Sequence, residues 1–178
     1  MVTGSPAAKF VGRLVGLAQG VGWDVCVVAS PDGMRFIDVG ALEAQTGHTV
    51  RSVFKEPGTP DVLPPADAMI VAPLTGNSLA KWACGIADTL PLAMLVEAVG
   101  MGLPVAAAPM MNAALIKFPA HQDSIRKLSD WGVSMLVDRQ PDPGMGAEIH
   151  EQFPWERVWQ AVLRHPRMPD ELAARGLV

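Results

Sequence analysis

The feature that most constrains this fold is a set of short apolar runs with no polar alternation: Asp24 to Ala29, Ala68 to Ala72, Pro104 to Ala108 and Val133 to Val137. A strand with one wet face alternates apolar and polar residues, so runs without alternation belong to strands buried on both faces. Helix-like segments separate them, and that rhythm predicts an α/β chain whose mostly parallel sheet is covered by helices on both sides. Phe10, Leu14 and Leu17 fall at helical spacing between Ala7 and Gly20, and Gly20 can end that helix. Leu79 to Ala87 and Leu90 to Gly100 read as two more, the second with Pro91 in its first turn, where a missing N–H costs nothing. Pro119 opens another, carrying Ile125 and Leu128 inward. Trp155, Val158, Trp159 and Val162 form one stripe of a last helix ending at Leu163, and that spacing marks a buried face.

A sheet covered on both faces needs a large core. Of the 178 residues, 49% are hydrophobic and 18% charged, enough for one core but too short a chain for two, so residues 1–178 are expected to form a single domain. The net charge of −4, with no dense basic run, argues against nucleic acid as a partner. The apolar stretch from Cys84 to Met111 is interrupted by Asp88, Pro91, Glu97 and Pro104, which reads as core and not as a membrane span. No secretory signal opens the chain, so the cytoplasm is the expected compartment. Cys26 and Cys84 are too few for a disulfide framework and lack metal-ligand spacing; both are expected as small buried hydrophobes, and no metal is expected. Met1 to Thr3 is short for a first strand, which leaves open a very short strand or residues upstream. Pro57 to Pro65 holds four prolines and reads as an irregular loop; Gln140 to Gly146 reads as a second loop or flap.

Candidate binding residues sit where these runs end. Gly4-Ser5-Pro6 precedes the first helix, as in an anion site built from outward-pointing N–H groups and small residues. Ser30-Pro31-Asp32-Gly33 and Thr75-Gly76-Asn77-Ser78 follow the next two runs, and Ala108-Pro109-Met110-Met111-Asn112 follows another. Taken singly, each loop reads as a turn or an N-cap; together they lie at the carboxyl ends of strands, where open α/β sheets collect ligands. Neither G-x-G-x-x-G nor G-x-x-x-x-G-K-[ST] occurs, which disfavours a dinucleotide fingerprint and a nucleoside triphosphatase.

The run from Pro73 to Asp88 (PLTGNSLAKWACGIAD) and the run from Pro109 to Asn112, with Pro119 and Gln122 after it, closely resemble the homo-oligomeric flavin-containing cysteine decarboxylases, the phosphopantothenoylcysteine and peptidyl-cysteine decarboxylase family. The resemblance spans Gly4 to Val137 and is strongest from Asp67 to Leu128. It implies a Rossmann-like (flavodoxin-like) three-layer sandwich that binds FMN, assembled as a homotrimer or as a homododecamer of trimers. It further implies that Gly4, Ser5, Pro6, Ser30, Thr75, Gly76, Asn77, Ser78 and Met110 bind the cofactor. Asn112 would be the catalytic amide that grips the substrate carboxylate, with Met111 beside it in the substrate site. In the family the flavin oxidises a cysteine thiol to a thioaldehyde, and decarboxylation then leaves an enethiolate.

The chain departs from that pattern in several places. The family's catalytic histidine would fall at Thr59, and the flap has no cysteine to reprotonate an enethiolate. Leu115-Ile116 replaces the M-W pair, and Leu74, Thr75 and Gly76 replace A-S-A. His48, His121, His150 and His165 are each expected at the surface. Two readings stay open: an FMN-dependent oxidative decarboxylase of a cysteine-containing carboxylate that stops at the enethiol, or a non-decarboxylating FMN-binding redox or partner subunit without the family histidine.

Overall fold

The structure, a computed structural model, describes residues 1–138, 140–142 and 148–174. Its central sheet has three parallel strands, β1 (Met69–Leu74), β2 (Val105–Pro109) and β3 (Ser134–Met135). Val71 lies opposite Ala107, and Ala107 opposite Met135. Beyond β1 the sheet is continued by shorter contacts. Met1 to Thr3 runs beside β1, with the Ala72 N–H donating to the Met1 carbonyl at 3.0 Å and the Thr3 N–H to the Pro73 carbonyl at 3.2 Å. Val2 then bridges to Ala29 and Val28 to Arg51, both in parallel. Across the sheet the extended segments therefore run third, second, first, fourth, fifth and sixth in chain order, the doubly wound arrangement whose direction reverses between the first and fourth.

The uninterrupted apolar run of β2 has a direct structural cause. Successive side chains of a strand point to opposite faces, and both faces here are covered. Ala106 and Ala108 join one apolar cluster with Leu14, Val15 and Ala18 of α1 (Gly12–Gln19) and the stripe Trp155, Val158, Trp159 and Val162 of α8 (Trp155–Leu163). Val105 and Ala107 join the other, with Leu79 and Trp82 of α3 (Gly76–Ala83), Leu92 and Leu95 of α4 (Leu90–Met101) and Leu128 of α6 (Pro119–Asp130). The remaining helices are α2 (Val39–Thr46), α5 (Ala113–Ile116), α7 (Glu148–Glu151) and α9 (Asp170–Ala173). Among the described residues no helix is long and apolar enough to cross a membrane.

Several boundaries differ from the sequence reading. The run from Asp24 to Ala29 pairs only at Val28 and Ala29, because the neighbouring segment meets it only at Arg51. The first helix opens with a 3-10 turn, Pro6–Phe10. Helix α3 starts at Gly76 and not Leu79, and gives way to a turn in which Gly85 takes a φ of +69°. Helix α2 was not expected: its apolar residues form no stripe, though Asp38 caps its start by accepting from the Ala41 N–H at 3.0 Å and Gly47 ends it in the left-handed region. The expectation of buried cysteines also needs correcting. Cys84 follows the last turn of α3 and is exposed, and Cys26 is only half-buried.

Candidate functional site

The reversal point of the sheet is held together by a residue that sequence patterns did not mark. Thr3 Oγ1 donates to the Pro73 carbonyl at 2.9 Å and accepts from the Thr75 N–H at 2.8 Å, tying the loop after the first segment to the loop after β1. The second loop packs onto the first. A Cβ on Gly4 would lie 2.8 Å from Asp32 Cβ, and one on Gly33 would lie 2.9 Å from the Val2 carbonyl, so both positions need glycine for close approach. The carboxyl ends of the segments thus converge where ligands of doubly wound sheets bind.

A cavity of about 290 Å³ opens there. Gly4, Ser5, Pro6, Thr75, Met110, Met111 and Asn112 line it, together with Leu115, Pro141, Asp142 and His150. Ser30, Gly76, Asn77 and Ser78 lie outside this lining. Ser30 Oγ accepts from the Gly33 N–H at 3.0 Å, which makes it a turn residue of the second loop. Thr75 stands at the N-cap of α3 without a side-chain capping bond, its hydroxyl donating instead to Ser78 Oγ at 3.3 Å. The first-turn N–H groups of α3 therefore lack the usual side-chain acceptor, the donor set that suits an anionic group.

Asn112 reconciles its two readings. Its Oδ1 caps α5, accepting from the Ala114 N–H at 3.0 Å and the Leu115 N–H at 2.9 Å. With the oxygen so committed, the amide NH2 is the half left to donate into the cavity. Gln140 braces the same loop from behind: its Oε1 accepts from the Met111 N–H at 3.0 Å, and its Nε2 donates to the carbonyls of Pro109 and Asp138 at 3.2 and 2.9 Å. The sequence placed Gln140 only at the head of a flap; Pro143 to Gly146 of that flap lie outside the described residues.

Thr59, where the resemblance would put the family histidine, lies in the exposed loop and donates to the Glu56 carbonyl at 2.7 Å, and it is not among the residues lining the Asn112 cavity. Asp61, two residues on, pairs with Lys55 at 2.9 Å. The histidines are not uniformly superficial. His165 is buried, with Nε2 2.7 Å from the Gly132 carbonyl. His121 lies against Gly76, where a Cβ would come within 2.7 Å of its ring, and its Nδ1 is 2.7 Å from the Leu115 carbonyl. His150 lines the cavity with Asn112, and its buried Nδ1 has no hydrogen-bond partner among the described residues. An isolated histidine on a four-residue helix gives no signal in sequence. Burial first, and then the Asp24 charge, push the Cys26 thiol up, so it is not a ready nucleophile.

The groups at this end of the sheet fit a flavin mononucleotide: uncapped amides at the start of α3, next to the cavity-lining Thr75, for a phosphate, the buried Met110 and Met111 in the cavity wall for an apolar ring, and the Asn112 amide beside them. The Flavoprotein family model matches residues 1–163. The chain is 32% identical over 164 residues to the coenzyme A biosynthesis bifunctional protein CoaBC of Mycobacterium bovis, covering 86% of this chain but 38% of that protein. It is 31% identical over 160 residues to a probable phosphopantothenoylcysteine decarboxylase of Arabidopsis thaliana, covering 81% of this chain and 79% of the relative. Among solved structures, the FMN-dependent cysteine decarboxylase SpaF superposes with a TM-score of 0.70 at 26% identity, over 90% of this chain and 93% of that one. The epidermin biosynthesis protein EpiD of Staphylococcus aureus gives 0.63 at 27% identity, over 76% and 78% of the two chains.

Proposed function

The chain belongs to the Flavoprotein family, and from that premise we propose that it is an FMN-dependent oxidative decarboxylase. Its substrate on this reading is a cysteine-containing carboxylate, such as the C-terminal cysteine of a peptide, and its product an enethiol. The observation that carries the reading is Asn112, whose oxygen is spent on capping α5 while its NH2 remains for a substrate carboxylate. An amide donates to a carboxylate without neutralising it, so the group is oriented yet can still leave as carbon dioxide.

Gly4, Ser5, Pro6, Ser30, Thr75 and the first turn of α3, Gly76 to Ser78, hold the cofactor's phosphate and ribityl chain, and Met110 gives its ring an apolar contact. Bound there, FMN supplies the two-electron acceptor that thiol oxidation requires. Met111 packs beside the substrate and helps exclude water. His150 takes the acid–base role for which Thr59 lacks an imidazole: its Nδ1 accepts the substrate thiol proton, leaving a thiolate. The working unit is a homo-oligomer, with a trimer as its building block. The cavity of one chain sits at the lower end of ordinary ligand sites, roughly 300 Å³ and upward. Leu115 in its lining and Phe118, three residues further on, are 46% and 56% exposed, apolar surface that a second copy would cover. Two free cysteines suit a reducing cytoplasm.

The test is anaerobic mixing of the FMN-loaded protein with cysteine-ended peptides. Bleaching of the flavin with release of carbon dioxide supports the reading. Flavin that stays oxidised throughout favours the partner-subunit alternative, and a protein that takes up no FMN rejects both.

A further inference from the structure

At the far end of the sheet from the cavity, three side chains with metal-ligand chemistry meet. Asp24 and Cys26 stand two residues apart on the extended segment leading to Val28, so both project from the same face. Gly47, at a φ of +75°, ends α2 and turns the chain so that His48 arrives beside them, and the parallel bridge of Val28 with Arg51 fixes the register of the two segments. A carboxylate oxygen of Asp24, Sγ of Cys26 and a ring nitrogen of His48 all lie within 4.8 Å of one another. His48 Nε2 is 2.7 Å from Asp24 Oδ1. No spacing pattern marks this group, because its members come from two segments with a helix between them.

We propose that Asp24, Cys26 and His48 form a binding site for one zinc-class divalent cation. Thiolate and imidazole together select a borderline-soft metal over magnesium or calcium, which take oxygen ligands. In a tetrahedral site with bonds of about 2.0 to 2.3 Å, ligand atoms lie roughly 3.3 to 3.7 Å apart. The contacts of Cys26, all within 4.8 Å, therefore need to close by at most about 1.5 Å, and the 2.7 Å His48–Asp24 hydrogen bond opens by roughly 0.6 to 1 Å. A cavity of about 360 Å³ adjoins Trp23, Asp24 and Cys26, from which water fills the fourth position. On binding, the Cys26 S–H bond breaks, its proton passes to solvent and a sulfur–metal bond forms; nothing is oxidised or reduced. The metal clips together two segments that otherwise share few ladder bonds. Ser30 lies six positions beyond Asp24, on the order of 20 Å of extended chain, so this site and the flavin site are independent.

The test uses the full FMN-loaded chain, stripped with a chelator and titrated with Co²⁺, then with competing Zn²⁺. One Co²⁺ per chain is expected, with tetrahedral d–d bands to the red of the flavin and a thiolate charge-transfer band. Cys26→Ser is expected to abolish that band and weaken Zn²⁺ binding by more than about 100-fold, beyond the effect of losing an outer-sphere partner. Cys84→Ser is expected to change neither. Should Cys26→Ser fail to fold, Asp24→Asn, at an exposed side chain, tests the same loss. An octahedral spectrum, sub-stoichiometric uptake, or equal affinity in the ligand variants overturns the proposal. Flavin content reports separately on the other site.

Discussion

Asn112 caps α5 with its oxygen, and on the proposed reading its NH2 serves a second duty at the substrate carboxylate. Because its oxygen caps α5, Asn112→Ala loses a cap worth about 0.5 to 2 kcal/mol as well as the donor, and confounds the two. Asn112→Asp separates them: the cap is kept, the donor is lost and a negative charge faces the substrate. Its melting temperature and FMN content should match the parent, while turnover falls at least about 10- to 100-fold, the equivalent of a lost charge-assisted bond of 1.5 to 3 kcal/mol. His150→Gln should likewise retain FMN, with a turnover loss of about 10²- to 10⁴-fold measured by substrate depletion, as for other missing acid–base groups. The cysteines give a simpler check. In metal-free protein a maleimide should modify the exposed Cys84 well before Cys26, whose half-buried thiol is held protonated, as read by peptide mapping over time. Asn112 was legible from its motif. His150 and Thr3 were not: Thr3 bonds to Pro73 and Thr75, and His150 lines the cavity beside Asn112, in both cases across long stretches of sequence.

Elements were legible where periodicity or punctuation was strong. The stripe from Trp155 to Val162 and the opening proline of α6 both stand where the sequence puts them, because a buried face at 3.6-residue spacing admits few alternatives. Helix α2 escaped because tertiary contacts and not an apolar stripe hold it; its signals were only the caps, Asp38 and Gly47. The contact between α3 and α6 explains a further departure from the family pattern. Gly76 leaves room for the His121 ring, which is tethered at the Leu115 carbonyl. Gly76→Ala should therefore destabilise the protein by about 1 to 3 kcal/mol through overpacking, despite alanine's better helix propensity. In the double variant with His121→Ala most of that loss should be recovered, and denaturant unfolding of the four proteins of the cycle reads the coupling directly.

For the whole molecule, the parallel order of segments follows from the unalternating runs, and it sets the reversal point at which Gly4, Ser5, Pro6 and Thr75 meet. A surface for assembly has no mark of its own in the sequence: only the fold shows that Leu115 and Phe118 stand exposed. If the proposed interface covers Phe118, a Phe118→Glu variant should reduce the mass found by light scattering toward that of the 18.9 kDa chain and lower FMN affinity with it. On the proposed reading this chain oxidatively decarboxylates a cysteine-ended substrate. Mass analysis of such peptides after incubation with the FMN-loaded protein tests it most directly. A product lighter by carbon dioxide plus two hydrogens is expected with the parent protein, and at least about 10-fold less of it in the same time with Asn112→Asp. Peptides unchanged by an FMN-loaded, correctly assembled parent protein would contradict it.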